Sequence, residues 1–148
     1  MATLTKISIG EDFSVWALET ADLLEQGRFD ELDVAALADE IHDLGASQQH
    51  ALDSQLQRLF LHLLKWVYQP GMRTPSWRIS IKNARAKIEW ILTRSPSLRR
   101  QLDPEKFGHL WKLARESAAV ETRLAVTRFP ETCPWDMDDQ VLNPDWLP

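Results

Sequence analysis

The sequence predicts an all-α fold: a single-domain helical bundle over residues 1–148, with four main helices, short helices and a proline-rich C-terminal tail. Apolar side chains recur at steps of three and four residues between the few glycines, and no segment alternates with the period of a strand. All eight prolines lie at position 70 or later. With 148 residues, 44% of them apolar, the chain has enough apolar side chains for one core.

Two helices are predicted in the N-terminal part of the chain. The first covers about 12–25 and is stopped by Gly27. The second has Asp33 as its N-cap and ends at Gly45, because glycine favours the residue just past a helix. Its apolar stripe is Val34, Leu37, Ala38, Ile41 and Leu44.

The next two helices should form the centre of the core. The third starts near Ser47 and stops before Pro70, and its C-terminal half is apolar almost all round, which is typical of a buried helix. The fourth begins at Pro75 and ends before Pro96. We expect Leu56, Leu59, Leu63 and Trp66 to be buried against Trp77, Ile81 and Ile88.

Two Ser/Asp-Pro pairs open the remaining helices. Ser95-Pro96 starts one or two turns, and Asp103-Pro104 starts a long helix through about Thr127. Its inward face is predicted to be Leu110, Leu113, Ser117, Val120 and Leu124. After Phe129 the tail, with Trp135 and Trp146, should wrap over the bundle and form one short helix near 136–142.

Several of these segments resemble a known family. The motif His62-Leu63-Leu64-Lys65-Trp66, followed by Gln69-Pro70 and Ser76-Trp77-Arg78, is similar to the central motif of the bacterial family called domain of unknown function 29. Upstream the likeness covers 27–33, 39–41 and 44–45, and downstream 95–98, 129–130, 133–134 and the end of the chain. His42 departs from the pattern, where an acidic residue is expected. The resemblance implies a small all-helical protein, often with paralogues, and implies no activity.

Charge is sorted into three blocks along the chain. Residues 58–102 hold ten Lys and Arg against Glu89, whereas residues 1–57 hold twelve Asp and Glu against Lys6 and Arg28. Residues 103–148 are again mildly acidic, and the net charge is only −5 because the basic block offsets most of the acidic residues. Such a separation of acidic from basic residues predicts either a charged partner or neutralisation within the chain or between subunits.

Three arrangements could neutralise the positive charge of residues 58–102. We favour neutralisation by the acidic helices, within the chain or between subunits, with Asp39, Glu40 and Asp43 as the acidic counterpart. A protein partner is the next choice. Nucleic acid is third, because the sequence pI is about 5.3 and no helix-turn-helix pattern is present. The candidate binding surface is Arg58, His62, Lys65, Trp77, Arg78, Lys82 and Arg85.

A narrow polar seam, Arg58, His62, Lys65 and Gln69, interrupts the third helix. Like charges beside a core need carboxylates, carbonyls or an anion nearby. We expect carboxylates of the protein itself to balance these charges. Glu40 is the best choice, and the tail carboxylates Asp136 and Asp145 are the others. A small-anion site or an enzyme centred on His62 is the alternative.

Catalytic chemistry is not expected. The chain lacks a phosphate-binding glycine loop and a Gly-x-Ser-x-Gly elbow, and Asp39 with His42 has no matching ligands for a metal, so we predict neither cofactor nor metal. The lone Cys133 should be structural, and Trp90 is the one tryptophan suited to stacking on a ligand. We therefore predict a cytoplasmic, non-membrane interaction or scaffold module.

Overall fold

Four α-helices dominate residues 7–148, the part of the chain that the computed structural model describes. Short 3₁₀ turns and one π-helical turn connect them, and no strand occurs in this range, so the all-α prediction is confirmed. The described chain divides into two compact units, one ending at Ala46 and the other covering Ser47–Pro148. The helices are α1 (Phe13–Glu25), α2 (Val34–Tyr68), α3 (Pro75–Arg94) and α4 (Pro104–Thr122).

Helix α1 has the predicted limits and clear local causes for both ends. The Asp12 carboxylate caps its N-terminus by accepting a hydrogen bond from the backbone N–H of Val15, at 3.0 Å. Beyond its C-terminus Gly27 takes a positive φ of 69°, which a residue with a Cβ rarely adopts. Trp16 and Thr20 are the buried residues of this helix.

Helix α2 corrects the prediction that one helix ends at Gly45 and another starts near Ser47. The two predicted helices form one helix of 35 residues. A glycine inside a helix costs only about 1 kcal/mol relative to alanine, whereas a new helix must be nucleated again at a larger cost. The predicted start at Asp33 is confirmed, because its carboxylate accepts from the N–H of Ala36.

The C-terminal half of α2 is the centre of the core of the second unit, as predicted. Leu56, Leu59, Leu63 and Trp66 are all buried, and they share one apolar cluster with Ile81 and Ile88 of α3. Trp77 packs against the same cluster while remaining partly exposed. The predicted core of these two helices is confirmed.

Helix α3 also has its predicted limits. The Thr74 hydroxyl accepts a hydrogen bond from the N–H of Trp77. Pro75 occupies the first helical position, where an N–H would have no acceptor within the helix. The 3₁₀ segment Pro96–Leu102 follows, which is the short helical element expected after Ser95.

Helix α4 differs from the prediction in its end and in its inward face. It stops at Thr122, not near Thr127, because Arg123 takes the left-handed conformation with φ 59°. Leu113 and Val120 were expected inside but are 45% and 79% exposed. Leu110 is buried as predicted, and the other buried apolar residues of α4 are Phe107, Trp111, Ala114 and Ala118.

The C-terminal tail packs over the second unit, as predicted, and its π-helical turn Met137–Val141 lies where the short helix was expected. Two residues of α4 hold its start: the Trp111 indole N–H donates to the carbonyl of Pro130, and the Arg115 guanidinium donates to that of Phe129, both at 3.0 Å. Trp135 and Trp146 contact each other edge to face at 5.6 Å.

Candidate functional site

A cleft with a volume of about 1160 Å³ lies in the second unit, between α3 and the end of the tail. Ile81, Ile88 and Leu92 form its helical side, and Leu142 and Leu147 form its tail side. The surface between these two segments is therefore apolar at its base, with charged side chains around it. Such a combination suits an amphipathic segment of a protein better than a fully polar ligand.

The predicted basic residues Arg78, Lys82 and Arg85 do meet at this cleft. Arg78 and Lys82 are exposed, one helical turn apart, and neither forms an ion pair within residues 7–148. The Arg78 guanidinium lies over the Trp66 ring at 5.5 Å from its centre, which positions it while leaving its charge available.

Arg85 has a different environment from its two neighbours. It is only 7% exposed, and its guanidinium donates to the backbone carbonyls of Val141 at 2.8 Å and Gln140 at 3.3 Å. Burial lowers its pKa, since a buried charge is less well solvated. Arg85, which belongs to the candidate binding surface, lines the cleft but is buried, and its donors anchor the tail.

Four charged residues of the cleft lining, Glu89 of α3 and three others, were absent from the predicted site. Arg99 pairs with Asp138 at 2.8 Å, which ties the 3₁₀ segment after α3 to the tail, and Asp145 lies further along the tail wall. The signal available in the sequence was the acidic cluster 136–139, which could have been matched to the basic α3 region. Periodicity alone gave no reason to pair segments so far apart.

The polar seam of α2 lies apart from this cleft and contacts the C-terminal end of α4. Lys65 Nζ lies 3.8 Å from the Glu121 carboxylate and 4.8 Å from the centre of the Trp77 ring. Gln69 donates to the carbonyl of Thr122 at 3.3 Å. The prediction gave the balancing role to Glu40, Asp136 or Asp145, whereas the structure gives it to Glu121 and the carbonyl end of α4.

His62 is held by its own helix. Its Nδ1–H donates to the carbonyl of Arg58 at 2.9 Å. Burial lowers the pKa of His62, and the nearby cations Lys65 and Arg58 lower it further, against the opposing effects of the Arg58 carbonyl and Glu121. Lys65 therefore contacts α4, and Arg58, His62, Lys65 and Trp77 do not line the cleft.

The predicted acidic counterpart belongs to the first unit. Asp39 and Asp43 are exposed on α2, and Glu40 between them is half-buried. They share this part of the helix with two exposed apolar residues, Val34 and Ile41. The pairing of this group with the basic residues stays a prediction.

The remaining candidates have simple structural environments. The exposed Trp90 lies under the Arg94 guanidinium, 4.8 Å from its ring centre, on α3. Burial raises the pKa of the Cys133 thiol to about 11, and the thiol donates to the carbonyl of Trp135.

Across residues 7–148, no group of three or more His, Cys, Asp or Glu side chains is arranged to hold a metal ion. Among the helices of this range, none has both the length and the apolar character needed to cross a bilayer.

Comparison with known proteins assigns a family to this fold. The family model described as "Domain of unknown function DUF29" matches residues 10–147, so the chain belongs to this family. No curated protein matches the sequence, and no solved structure matches it.

Proposed function

We propose that this protein is a non-catalytic interaction module that assembles with further copies of itself. The cleft between α3 and the tail of one copy takes the acidic first unit of another copy. The observation that carries the proposal is the pair Arg78 and Lys82, two cations without an ion pair among the described residues, beside an apolar base.

The basic side of this contact offers both charge and apolar area. On α3, the exposed charged residues are Arg78, Lys82, Lys87, Arg94 and one acid, Glu89. The apolar area that a partner can cover comes from the partly exposed lining residues Leu92, Leu142 and Leu147, because Ile81 and Ile88 beneath them are already buried. A partner segment therefore needs apolar side chains flanked by carboxylates.

The chain itself carries a segment of this chemistry. The N-terminal part of α2 has exposed Val34 and Ile41 together with Asp39, Glu40 and Asp43. Burying apolar side chains provides affinity, at roughly 25 cal/mol per Å². Opposite charges across an interface mainly provide specificity and a fast association rate. A second copy thus carries both kinds of side chain on one helical segment, and Glu40 is the carboxylate nearest the face of Val34 and Ile41.

A non-catalytic role agrees with the environments of the two residues best suited to chemistry. His62 bonds to its own helix beside two cations, and Cys133 has a raised pKa, which keeps its thiol protonated and weakly nucleophilic near neutral pH. A single thiol and no disulfide framework also suit a reducing compartment, so we propose the cytoplasm as its location.

Sedimentation velocity over a range of protein concentrations tests this assembly. We expect the wild-type protein to self-associate, and less so at high salt, because screening weakens exposed charge pairs. The double variant Arg78→Glu with Lys82→Glu should be monomeric, and so should the triple variant Asp39→Lys, Glu40→Lys and Asp43→Lys. Mixing the two variants should restore a complex, because the reversed charges again match.

The matched control is Lys87→Glu with Arg94→Glu, which reverses the same charge on α3 outside the cleft lining. This control should associate like the wild type. A wild-type protein that stays monomeric at every concentration overturns the proposal, as does a mixture of the two variants that stays monomeric. Binding of a duplex DNA oligonucleotide by a monomeric wild type, with a steep salt dependence, would instead favour the nucleic-acid function.

A further inference from the structure

A second, smaller cavity of about 270 Å³ lies between α4 and the tail residues 131–137. Phe107, Trp111 and Trp135 contribute aromatic rings to its lining. The rings of Trp111 and Trp135 have centres 5.6 Å apart and an angle of 83° between their planes. Trp135 is the partly exposed ring of this lining, and the buried rings of Trp111 and Phe107 complete its aromatic part.

The aromatic rings are held in place by contacts outside the cavity. The Trp111 indole N–H donates to the carbonyl of Pro130, and its ring meets Phe60 edge to face at 5.1 Å. Trp135 packs against Trp146 on its other side. Since these contacts fix the rings without a ligand, binding requires little ordering of side chains.

The charge of this cavity is opposite to that of the basic α3 surface. Its charged lining residues are Glu131 and Asp136, both exposed, and no Lys, Arg or His is among the described residues that line it. Leu102, Pro104 and Met137 complete the apolar part of the lining. One oxygen of Asp136 accepts from the N–H of Asp139 at 2.7 Å, which fixes this carboxylate at the start of the π-helical turn.

We infer that this aromatic cavity binds a quaternary ammonium cation. The faces of aromatic rings attract cations, and methylated ammonium groups are the ligands that clusters of such rings recognise. A primary ammonium or guanidinium group would lose strong hydrogen bonds to water against these apolar walls. A trimethylammonium group has no N–H to satisfy, and the two carboxylates supply the favourable charge.

The cysteine in the lining does not change this charge. Burial raises the pKa of Cys133, so the thiol is neutral near pH 7 and adds no anion to the cavity. The inference does not depend on self-association, because every lining residue belongs to the second unit and none lines the α3 cleft.

Heteronuclear NMR of the full-length protein tests the inference through the indole N–H signals of Trp111 and Trp135. The probes are choline and a short peptide with one trimethyllysine, which represent a free cation and a modified protein side chain. The control probe is 3,3-dimethylbutan-1-ol, which has the shape of choline but no charge. We expect a saturable shift of both indole signals with at least one cationic probe, and much weaker binding of the alcohol.

Glu131→Gln should weaken cation binding by roughly threefold to fivefold, the effect of one exposed charge. Glu116→Gln, an exposed substitution of the same kind on α4 outside the cavity, should leave binding unchanged. A shift with choline alone identifies a small-molecule ligand, and a shift with the peptide alone identifies a methylated protein. Equal binding of the neutral alcohol overturns the inference, and so does the absence of a saturable shift with both cations.

Discussion

The two halves of α2 have similar apolar patterns but different surroundings. In the N-terminal half, Val34 and Ile41 lie on the predicted apolar stripe and are 66% and 60% exposed. In the C-terminal half, Leu56, Leu59 and Leu63 lie on the corresponding stripe and are buried. One helix thus has exposed Val34 and Ile41 in its first half and the centre of a core in its second half.

The difference comes from the segments that pack on the second half. Helices α3 and α4 and the tail contribute Ile88, Trp111 and Val141 to the same cluster. A helical period identifies the side of a helix that can be buried, but burial also needs other segments that reach it. The proposed assembly uses the exposed half of α2 as the surface that a second copy covers.

The largest expected effect contrasts one buried and one exposed residue of the same helix. Leu63→Ala should lower the free energy of unfolding by about 2 to 5 kcal/mol, because it removes buried methyl groups and leaves a cavity. Ile41→Ala, measured at a protein concentration where the protein is monomeric, should change it by less than about 0.5 kcal/mol. Denaturant unfolding of both variants measures these values.

Equal losses for the two variants would contradict the comparison, since they would mean that the stripe around Ile41 is covered as well. A loss below about 1 kcal/mol for Leu63→Ala would be evidence against the central position of this half of α2.

The next effect concerns the tail, which closes the core over the C-terminal half of α2. Arg85→Met should lower stability by about 1 to 3 kcal/mol, because the carbonyls of Val141 and Gln140 lose a charged donor. Amide exchange should become faster at 137–148 while the core of α2 stays protected. Lys82→Met is the matched control: this exposed cation lies nearly one turn away, and its loss should leave exchange in the tail unchanged.

The smallest effect compares a histidine in each half of the helix by its pH dependence. His62 has a lowered pKa, so the folded state resists protonation below the ordinary value of about 6.5. As pH falls below that value, the unfolded chain binds a proton before the folded one does, and stability decreases until pH passes the lowered folded pKa. His62→Gln should remove this part of the decrease, as measured by unfolding at several pH values.

His42→Gln, in the exposed half, should leave the acid-side decrease in place. If both variants have the same pH profile as the wild type, the burial of His62 does not contribute to acid sensitivity, and the two halves do not differ in this respect.

Much of the fold was predictable because its causes are local. The side chains of Asp12 and Thr74 cap the first turns of α1 and α3, and Pro75 suits the first position of α3 because it has no N–H. Gly27 takes a positive φ just beyond the end of α1. The site was less predictable. Arg78, Lys82 and Arg85 were assigned together to the candidate binding surface. The first two are exposed, whereas Arg85, one helical turn past Lys82, is buried. The position of each cation on the helix was known, whereas the segment facing it was not.

The sequence by itself determined the helical segments, the apolar sides of α2 and α3, and the separation of acidic from basic residues. These features depend on neighbours within a few turns, through caps, propensities and the helical period. Only the tertiary structure decided that Ala114 faces inward on α4 while Leu113 faces out, that Glu121 pairs with Lys65, and that the tail joins Arg85. These contacts join residues as many as 56 positions apart, so they depend on how whole segments pack together and not on any local pattern.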